Sequence, residues 1–453
     1  MKKETGVRFY DRETQIAELH RIQDLAFTEF SKMTVITGRR RIGKTSLITE
    51  TVARSKHSND EMPTLYLFVG RKSEGALCRQ FAEEATHVLG ILIPAEISSF
   101  GTLFRMLMEI AQTRSFNLVL DEFQEFDNIN PSVFSDIQNH WDQYRRKTKV
   151  NLLISGSHYT LMHKIFQDKK EPLFGRADNI IKLGPFSTGV IKQIIADYNP
   201  NYSNDDLLAL FTFTGGVPKY IELFCDSRAL TVNKMIDFMA QENSPFVDEG
   251  KNLLITEFGK NYGTYFAIVG AVAEGATTQN SIEQLIGNNA IGGHINRLID
   301  DYQVLSKMRP ILAKTTSQTV RYEIEDVFLK HWFAYFDKYR PMIELGNFTD
   351  FAKLMKSNYT SFSGQMLERY FKQQLAESGG FREIGSWWEA KGYENQIDIV
   401  ALRLEKYQAL AIEIKRKPEN FRISQLEEKV KHLKEKAMPK YEFELKCMTL
   451  EDM

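Results

Sequence analysis

The sequence predicts a multidomain α/β protein that begins with a doubly wound parallel sheet. Three observations support this prediction. The chain has 453 residues, more than one hydrophobic core usually accommodates, so we expect about two to four domains. Short apolar runs alternate with helical stretches through residue 185. A glycine-containing loop separates one of these runs from a helix, an arrangement typical of a phosphate-binding loop.

Composition is that of a globular protein, with 43% hydrophobic and 26% charged residues. The formal net charge of -1 gives no overall attraction to nucleic acid or membrane, so a DNA-binding surface would have to be local. Cys78, Cys225 and Cys447 lie far apart without a CxxC spacing. This distribution fits a reducing compartment and argues against a disulfide scaffold or a cysteine-based zinc site.

No targeting or membrane-spanning segment is evident in the sequence. The N-terminus lacks the apolar region of a signal peptide. No apolar run approaches the roughly 18 to 20 residues that cross a bilayer. We therefore expect a cytoplasmic protein without a membrane partner.

The glycine-containing loop matches the phosphate-binding spacing GxxxxGK[ST]. A β-branched run precedes it and a helical pattern follows, so backbone N–H groups and the helix N-terminus could bind an anion. Lys44 would then reach the β- and γ-phosphates, and Thr45 would bind Mg²⁺. The candidate nucleotide-binding residues are Gly38, Arg39, Arg40, Arg41, Ile42, Gly43, Lys44, Thr45 and Ser46. The alternative is a basic turn that matches the motif by chance.

An acidic pair follows a buried strand candidate at residues 116–120. Asp121 and Glu122 would lie at the carboxyl end of that strand, where ligands of parallel sheets bind. Asp121 would hold Mg²⁺ directly or through water, and Glu122 would activate the attacking water. A strand that merely ends in an acidic turn is the alternative.

Two further positions could assist ATP hydrolysis. Ser155 and Ser157 end the strand candidate "NLLISGS", and either could sense the γ-phosphate or belong to a plain turn. Arg176 in "PLFGRAD" could be an arginine finger, acting in cis or from a neighbouring subunit, or a surface arginine.

The set "FYDRE", "GRRRIGKTS", "LVLDEFQEF", "ISGS", "LFGRA" and "TGGVPKY" resembles the archaeal-type ATPase family. Its members are AAA+/STAND-like P-loop proteins, distantly related to Orc-type initiators. The resemblance covers roughly residues 9–343. It implies that Phe9 and Arg12 lie near the adenine and that Pro218 contacts the nucleotide from a small helical lid. The glycines before Pro218 also fit a helix end and turn.

Residues 259–345 contain three helical stretches followed by a predicted hairpin, which is typical of a winged helix. Such a fold would place His294, Asn296 and Arg297 in the DNA major groove. In STAND-type ATPases the same fold often packs against the lid and binds no DNA. Both interpretations remain open.

A second chemical pattern lies near the C-terminus. Glu368 is on a predicted helix, and Asp398, Glu413 and Lys415 are on predicted strands, with Glu413 and Lys415 on one face. The order matches the PD-(D/E)xK pattern, although Ile397 replaces the proline. Asp398 and Glu413 would bind Mg²⁺, and Lys415 would stabilise charge on the nucleophile or phosphate.

The region from roughly 363 to 446 resembles the nuclease-like domain attached to this ATPase family, which is similar to restriction-endonuclease folds. Such a domain either cleaves DNA or survives as a binding module. The basic cluster at 415–422 could contact phosphates or be a solvated loop.

These patterns together predict four domains. They are a P-loop ATPase core (1–190), a helical lid (191–258), a winged helix (259–345) and a restriction-endonuclease-like α/β domain (346–453). The expected function is that of an ATPase that binds and hydrolyses ATP with Mg²⁺. This ATPase would be coupled to a DNA-binding, Mg²⁺-dependent nuclease-like domain. The alternative is a STAND-like regulatory switch whose last domain binds DNA or a partner protein without cleavage. Homo-oligomers would fit either function.

Overall fold

The computed structural model describes residues 8–54, 62–94, 96–259, 262–287, 290–389 and 395–453. The chain divides into two compact units. We call residues 11–184 the N-terminal unit, and residues 8–10 together with 185–453 the C-terminal unit. Each unit encloses a hydrophobic core of its own.

A five-stranded parallel sheet forms the centre of the N-terminal unit, as the sequence predicts. Its strands are β1 (Lys32–Thr37), β2 (Thr64–Phe68), β3 (Phe116–Asp121), β4 (Val150–Gly156) and β5 (Asn179–Lys182). Their order is β2-β3-β4-β1-β5, and all neighbours pair in parallel. The carboxyl ends of β1, β3 and β4 therefore meet at one edge of the sheet, where ligands of open α/β sheets bind.

Helices pack on this sheet and complete its core. They are α1 (Glu13–Thr28), α2 (Lys44–Ala53), α3 (Glu74–Leu89), α4 (Phe100–Ile110), α5 (Phe126–Ile129), α6 (Ser132–Tyr144) and α7 (Tyr159–Gln167). Strands β3 and β4 are buried at every position, the pattern of strands covered on both faces. Aromatic side chains fill the core beside them, including Phe81, Phe100, Phe123 and Trp141.

The C-terminal unit continues with helices. They are α8 (Thr188–Tyr198), α9 (Asn204–Thr214), α10 (Pro218–Asp226), α11 (Val232–Met239) and α12 (Glu249–Phe258). A capping box between Ser203 and Asp206 starts α9, and Gly215 ends it with a φ of 58°. Pro218 takes the first position of α10, where a missing N–H is harmless. The glycines before Pro218 thus form a helix end and turn.

Three helices and an antiparallel strand pair follow, in the order that the sequence predicts. They are α13 (Tyr262–Ala273), α14 (Gln279–Leu285), α15 (Gly292–Asp300), β6 (Leu305–Met308) and β7 (Arg321–Ile324). On α15, Ile295 and Leu298 are buried while Asn296 and Arg297 are exposed. His294 packs its ring 5.4 Å from that of Tyr265.

The last part of the chain forms a mixed sheet with flanking helices. After α16 (Val327–Trp332) and α17 (Arg340–Glu344), the elements are α18 (Phe348–Ser378), β8 (Phe381–Trp387), β9 (Ile397–Arg403), β10 (Gln408–Lys415), α19 (Ile423–Lys436) and β11 (Glu442–Thr449). The sheet order is β11-β10-β9-β8. Strands β8, β9 and β10 are antiparallel, and β11 is parallel to β10, which requires the α19 crossover.

The segment between β6 and β7 packs on β8. Ile311 shares the buried cluster of the C-terminal sheet with Trp387. The Ile311 backbone N–H donates to the Ser386 carbonyl at 2.9 Å. Arg321 donates to the Gln396 side chain at 3.0 Å. The core of this sheet therefore includes a residue from outside the span 346–453.

Helix α18 has 31 residues but carries many charged side chains. Within the described ranges, no helix combines the length and the hydrophobicity that a bilayer crossing requires.

His331 on α16 is fully buried among aromatic rings. Its ring centroid lies 4.8 Å from that of Phe213 and 5.2 Å from that of Tyr335. Neither ring nitrogen has a hydrogen-bond partner among the described residues. Burial lowers the pKa of His331 from 6.5 to about 3. The imidazole is therefore neutral in the folded protein at physiological pH.

Because His331 binds a proton more weakly in the folded than in the unfolded chain, the free energy of unfolding should fall as the pH drops below about 6.5. Between pH 7 and pH 5 this group should cost about 2 kcal/mol of stability. His331→Leu should remove that loss, whereas replacing the exposed His163 by leucine should not. Urea unfolding at both pH values measures the difference. Equal pH dependence in the wild type and His331→Leu would contradict this account.

Candidate functional site

The glycine loop joins β1 to α2, and its backbone requires glycine at two positions. Gly38 has a φ of 155°, and a Cβ there would lie 2.8 Å from the Leu183 carbonyl oxygen. Gly43 has a φ of 89° immediately before α2. A side chain at either position would strain the loop. This conformation allows successive backbone N–H groups and the N-terminus of α2 to converge on an anion.

Lys44 begins α2 and directs its ammonium group back into the loop. The residue is 6% exposed, and Nζ donates to the carbonyl oxygens of Gly38 at 2.8 Å and Arg39 at 3.1 Å. A buried ammonium group requires such acceptors. The positive charge is therefore held inside the loop, where phosphate oxygens could replace the carbonyl groups.

The remaining loop side chains differ in exposure. Ile42 is buried in the core, so it could contact a nucleotide only through its backbone. Arg40 and Ser46 are exposed, and Arg39 and Arg41 are partly exposed. The three arginines are therefore accessible to solvent, in addition to the backbone and Lys44.

Asp121 ends β3 beside this loop, and its carboxylate accepts four hydrogen bonds. The hydroxyls of Tyr66 and Thr45 donate to Oδ2, with the Thr45 oxygen at 3.2 Å. The Ser155 hydroxyl and the Glu122 N–H donate to Oδ1, the latter at 3.0 Å. Both carboxylate oxygens are thus held in place by groups from β2, β4 and α2 and by the backbone N–H of the residue that follows β3.

Glu122 follows in a left-handed backbone conformation, with φ 54° and ψ 39°. Such a conformation is unfavourable for glutamate and often occurs at functional sites. Its Oε2 accepts hydrogen bonds from Ser157 Oγ at 2.6 Å and from Gln124 Nε2 at 2.5 Å. The two serines considered as γ-phosphate sensors are therefore partners of the acidic pair, Ser155 of Asp121 and Ser157 of Glu122.

Tyr66 and Gln124 also belong to this site, although the sequence analysis does not identify them as candidates. Tyr66 lies in the strand run "TLYLF", between the buried residues Leu65 and Leu67. That alternation was the available signal for Tyr66. Gln124 is 3% exposed, and nothing in the sequence indicated that its amide would turn toward Glu122.

The residues at the carboxyl edge of the sheet fit Mg²⁺. The Thr45 hydroxyl and the Asp121 carboxylate approach within 3.2 Å. Hydroxyl and carboxylate oxygens are the hard ligands that Mg²⁺ prefers, and it commonly takes its other ligands from phosphates and water. Thr45 and Asp121 are therefore a suitable protein contribution to a magnesium–nucleotide site.

Arg176 lies before β5, and its guanidinium group is engaged within the N-terminal unit. It donates to Asp142 at 3.1 Å and to the Phe174 carbonyl at 2.8 Å. Its side chain is 29% exposed. The structure thus gives Arg176 surface partners and no contact with the glycine loop among the interactions described.

The other residues that the sequence predicts at the nucleotide belong to different units. Arg12 is buried in the N-terminal unit and donates to the Gly184 carbonyl at 2.6 Å. Phe9 and Pro218 belong to the C-terminal unit. Phe9 precedes α1 without regular structure, and Pro218 opens α10.

The C-terminal sheet and α18 together bring the four residues that the sequence predicts for a nuclease-like site near one another. Asp398 on β9 accepts the Ile414 N–H at 2.8 Å. Glu413 on β10 is 8% exposed and accepts from Lys415 Nζ at 2.7 Å. Burial, reinforced by the negative charges of Glu368 and Glu413, raises the pKa of Asp398 to about 6. Glu368 and Glu413 therefore both lie near Asp398.

Lysine side chains neutralise this carboxylate cluster. Lys429 on α19 donates to both carboxylate oxygens of Glu413 at 3.0 Å. Lys372 Nζ donates hydrogen bonds to the Glu368 carboxylate and, at 2.6 Å, to the Ser386 hydroxyl. Lys429 was missed because it lies in a helix of mixed charge. In the part of the chain that the structure describes, no group of three or more His, Cys, Asp or Glu residues is arranged to hold a metal ion.

The basic cluster at 415–422 is partly used for internal contacts. Arg416 donates to Asp205 at 2.8 Å and to Ser363 at 2.5 Å. Arg422 donates to backbone carbonyls of its own turn. Lys417 is exposed. The expected phosphate-binding surface at this cluster is therefore smaller than its sequence indicates, because Arg416 is committed to an ion pair.

Comparison with protein families identifies two segments. Residues 9–224 match a family model described as an ATPase domain predominantly from Archaea. Residues 332–430 match a model described as archaeal and bacterial proteins of unknown function. An uncharacterized protein of Methanocaldococcus jannaschii is 29% identical over 420 residues, which are 90% of this chain and 87% of that protein.

Two solved structures share the fold. The Walker-type ATPase of Pyrococcus abyssi has a TM-score of 0.53 and 16% identity, covering 72% of this chain and 96% of its own. The ORC2 protein of Aeropyrum pernix, solved with ADPNP and ADP, has a TM-score of 0.52 and 12% identity, covering 79% of this chain and 98% of its own. Residues 9–224 are thus similar to ATPase domains found predominantly in Archaea. The two solved structures show that the chain shares the fold of P-loop ATPases.

Ser157→Ala should lower kcat for ATP hydrolysis about tenfold, because Glu122 loses a hydrogen bond that orients its charged carboxylate. The KM for ATP should change little, since Ser157 does not belong to the glycine loop. Ser132→Ala, which removes an exposed hydroxyl on α6, is the control. Steady-state ATP hydrolysis measures both parameters. An unchanged kcat in Ser157→Ala would show that Ser157 does not orient Glu122.

Proposed function

We propose that this chain binds and hydrolyses ATP and that its nucleotide state controls a DNA-binding, nuclease-like C-terminal domain. The observation that carries the proposal is the meeting of Lys44, Asp121 and Glu122 at one edge of the parallel sheet. Each has the supporting contacts that its role requires. The ammonium group is held inside the loop, Asp121 is fixed by hydroxyls, and Glu122 is oriented by Ser157 and Gln124.

ATP would enter the glycine loop with its phosphates at the N-terminus of α2. Lys44 would exchange the carbonyl oxygens of Gly38 and Arg39 for phosphate oxygens. Thr45 and Asp121 would hold Mg²⁺, which, when bound, neutralises charge on the phosphates. Glu122 would orient the attacking water and accept its proton.

The family resemblance adds residues to this proposal. Phe9 and Arg12 would lie near the adenine, and Pro218 would contact the nucleotide from the helices after β5. Arg176 would stabilise transition-state charge only after leaving Asp142, which a neighbouring subunit in an oligomer could bring about.

In this proposal the C-terminal cluster would act on phosphodiesters. Asp398 and Glu413 would hold a divalent cation, whose charge would polarise the scissile phosphate. Lys415 and Lys429 lie beside Glu413 and could donate to phosphate oxygens. Glu368 adds a third negative charge near Asp398. The exposed residues Asn296 and Arg297 of the winged-helix segment would provide DNA contacts.

A second candidate function is a STAND-like switch whose C-terminal domain binds DNA or a protein without cleavage. One observation favours it. Glu413 already accepts hydrogen bonds from two ammonium groups, so a divalent cation would have to displace at least one of them. In this function the lysines, with their charge balanced by Glu413, form a binding surface.

Lys44→Ala should abolish nucleotide binding, because the phosphates lose their main cationic contact. Glu122→Gln should retain binding but slow hydrolysis about 100-fold, since the amide cannot accept the proton of water. Asp127→Asn on α5 serves as the matched control. Fluorescent-ATP binding and phosphate release separate the two effects. Full hydrolysis in Glu122→Gln would contradict the role of Glu122.

Glu413→Gln should abolish cleavage of branched and linear DNA in Mg²⁺ or Mn²⁺ if the C-terminal domain is a nuclease. Glu444→Gln, on the neighbouring strand β11 and paired with Arg403, should leave cleavage intact. Lys44→Ala shows whether ATP controls the reaction. The assay measures product strands on denaturing gels. Absence of cleavage by the wild type under all conditions would contradict the nuclease and favour the switch.

A further inference from the structure

Tyr66 lies in the middle of β2, which is an outermost strand of the parallel sheet. Leu65 and Leu67 turn into the buried core, and because side chains alternate along a strand, Tyr66 faces the other way. Parallel pairing sets Phe68 of β2 opposite Asp121 of β3. The Tyr66 side chain can therefore reach the carboxyl edge, where β3 ends.

The hydroxyl of Tyr66 lies beside the two protein groups that fit Mg²⁺. It donates to Asp121 Oδ2 and also interacts with the Thr45 side chain. Thr45 in turn donates to the same carboxylate oxygen at 3.2 Å. The hydroxyls of Tyr66 and Thr45 therefore converge on one oxygen of Asp121.

The other Asp121 oxygen is held by a matching donor. Ser155 on β4 donates its hydroxyl to Oδ1. Strands β2 and β4 flank β3 on opposite sides. The carboxylate thus accepts one hydroxyl hydrogen bond from each neighbouring strand, from Tyr66 and from Ser155. These two bonds restrict rotation of the Asp121 carboxylate about its side-chain bonds.

We propose that Tyr66 is a positioning residue for the divalent-cation site of the ATPase, holding the Asp121 carboxylate, together with Ser155, in the orientation that the cation requires. The proposal rests on the proposed ATP-binding function of the glycine loop. Partners that orient a metal-binding side chain typically contribute 10- to 100-fold in metal affinity. Packing alone needs only the tyrosine ring, so the hydroxyl can be tested separately.

The test measures cation binding without turnover. Free Mn²⁺ is followed by electron paramagnetic resonance during titration of the full chain with ADP present. Binding of mantADP is measured in EDTA, where no cation contributes. Tyr66→Phe and Ser155→Ala each remove one donor to Asp121. Tyr144→Phe is the control, because its hydroxyl donates to a surface carboxylate, that of Glu109, at 3.1 Å in the same unit.

Tyr66→Phe and Ser155→Ala should each weaken Mn²⁺ binding about tenfold. Their affinity for mantADP in EDTA should equal that of the wild type, and Tyr144→Phe should match the wild type in both assays. Unchanged or tighter Mn²⁺ binding in Tyr66→Phe would overturn the proposal. So would an equal loss of mantADP affinity in EDTA, which would show a general structural defect. A wild type that binds no mantADP would instead refute the nucleotide site itself, and this proposal with it.

Discussion

The parallel pairing of β1 with β4 and of β4 with β3 is the constraint on which the ATPase site depends. This pairing sets the carboxyl ends of the three strands at one edge of the sheet. The glycine loop, the serines at the end of β4 and the acidic pair therefore lie next to one another. Each strand contributes a different chemistry. The loop after β1 contributes the anion-binding backbone. The end of β3 contributes the two carboxylates, and the end of β4 contributes the two serine hydroxyls that orient them. Loss of this register would separate all three.

The two carboxylate sites of the chain are neutralised in different ways, and the difference bears on function. Asp121 is surrounded by neutral hydroxyl and amide donors, so its negative charge remains available to a cation. Glu413 is paired with the ammonium groups of Lys415 and Lys429. A cation at Asp121 meets only neutral donors, whereas one at Glu413 competes with the positive charges of two lysines. The electrostatic competition with a divalent cation is therefore weaker at Asp121 than at Glu413.

Much of the fold was predictable from local sequence. Buried parallel strands appear in the sequence as apolar runs, and the loop motif lies between a strand and a helix. The parallel sheet could therefore be predicted from the hydrophobic pattern and the positions of the glycines. The supporting residues were harder to predict. Tyr66, Gln124 and Lys429 act through contacts with residues 55, 2 and 16 positions away, and their side chains carry no motif. The packing of Ile311 on β8 depends on tertiary structure that spacing does not encode.

The most direct test of the central claim is a crystal structure of the chain with ADPNP and Mg²⁺. We expect the phosphates to lie inside the loop of residues 38–43, with Lys44 Nζ bound to phosphate oxygens instead of to the carbonyl oxygens of Gly38 and Arg39. We also expect Mg²⁺ at Thr45 and Asp121. A nucleotide bound elsewhere, or an empty loop with Lys44 still on both carbonyl groups at saturating ADPNP, would contradict the central claim.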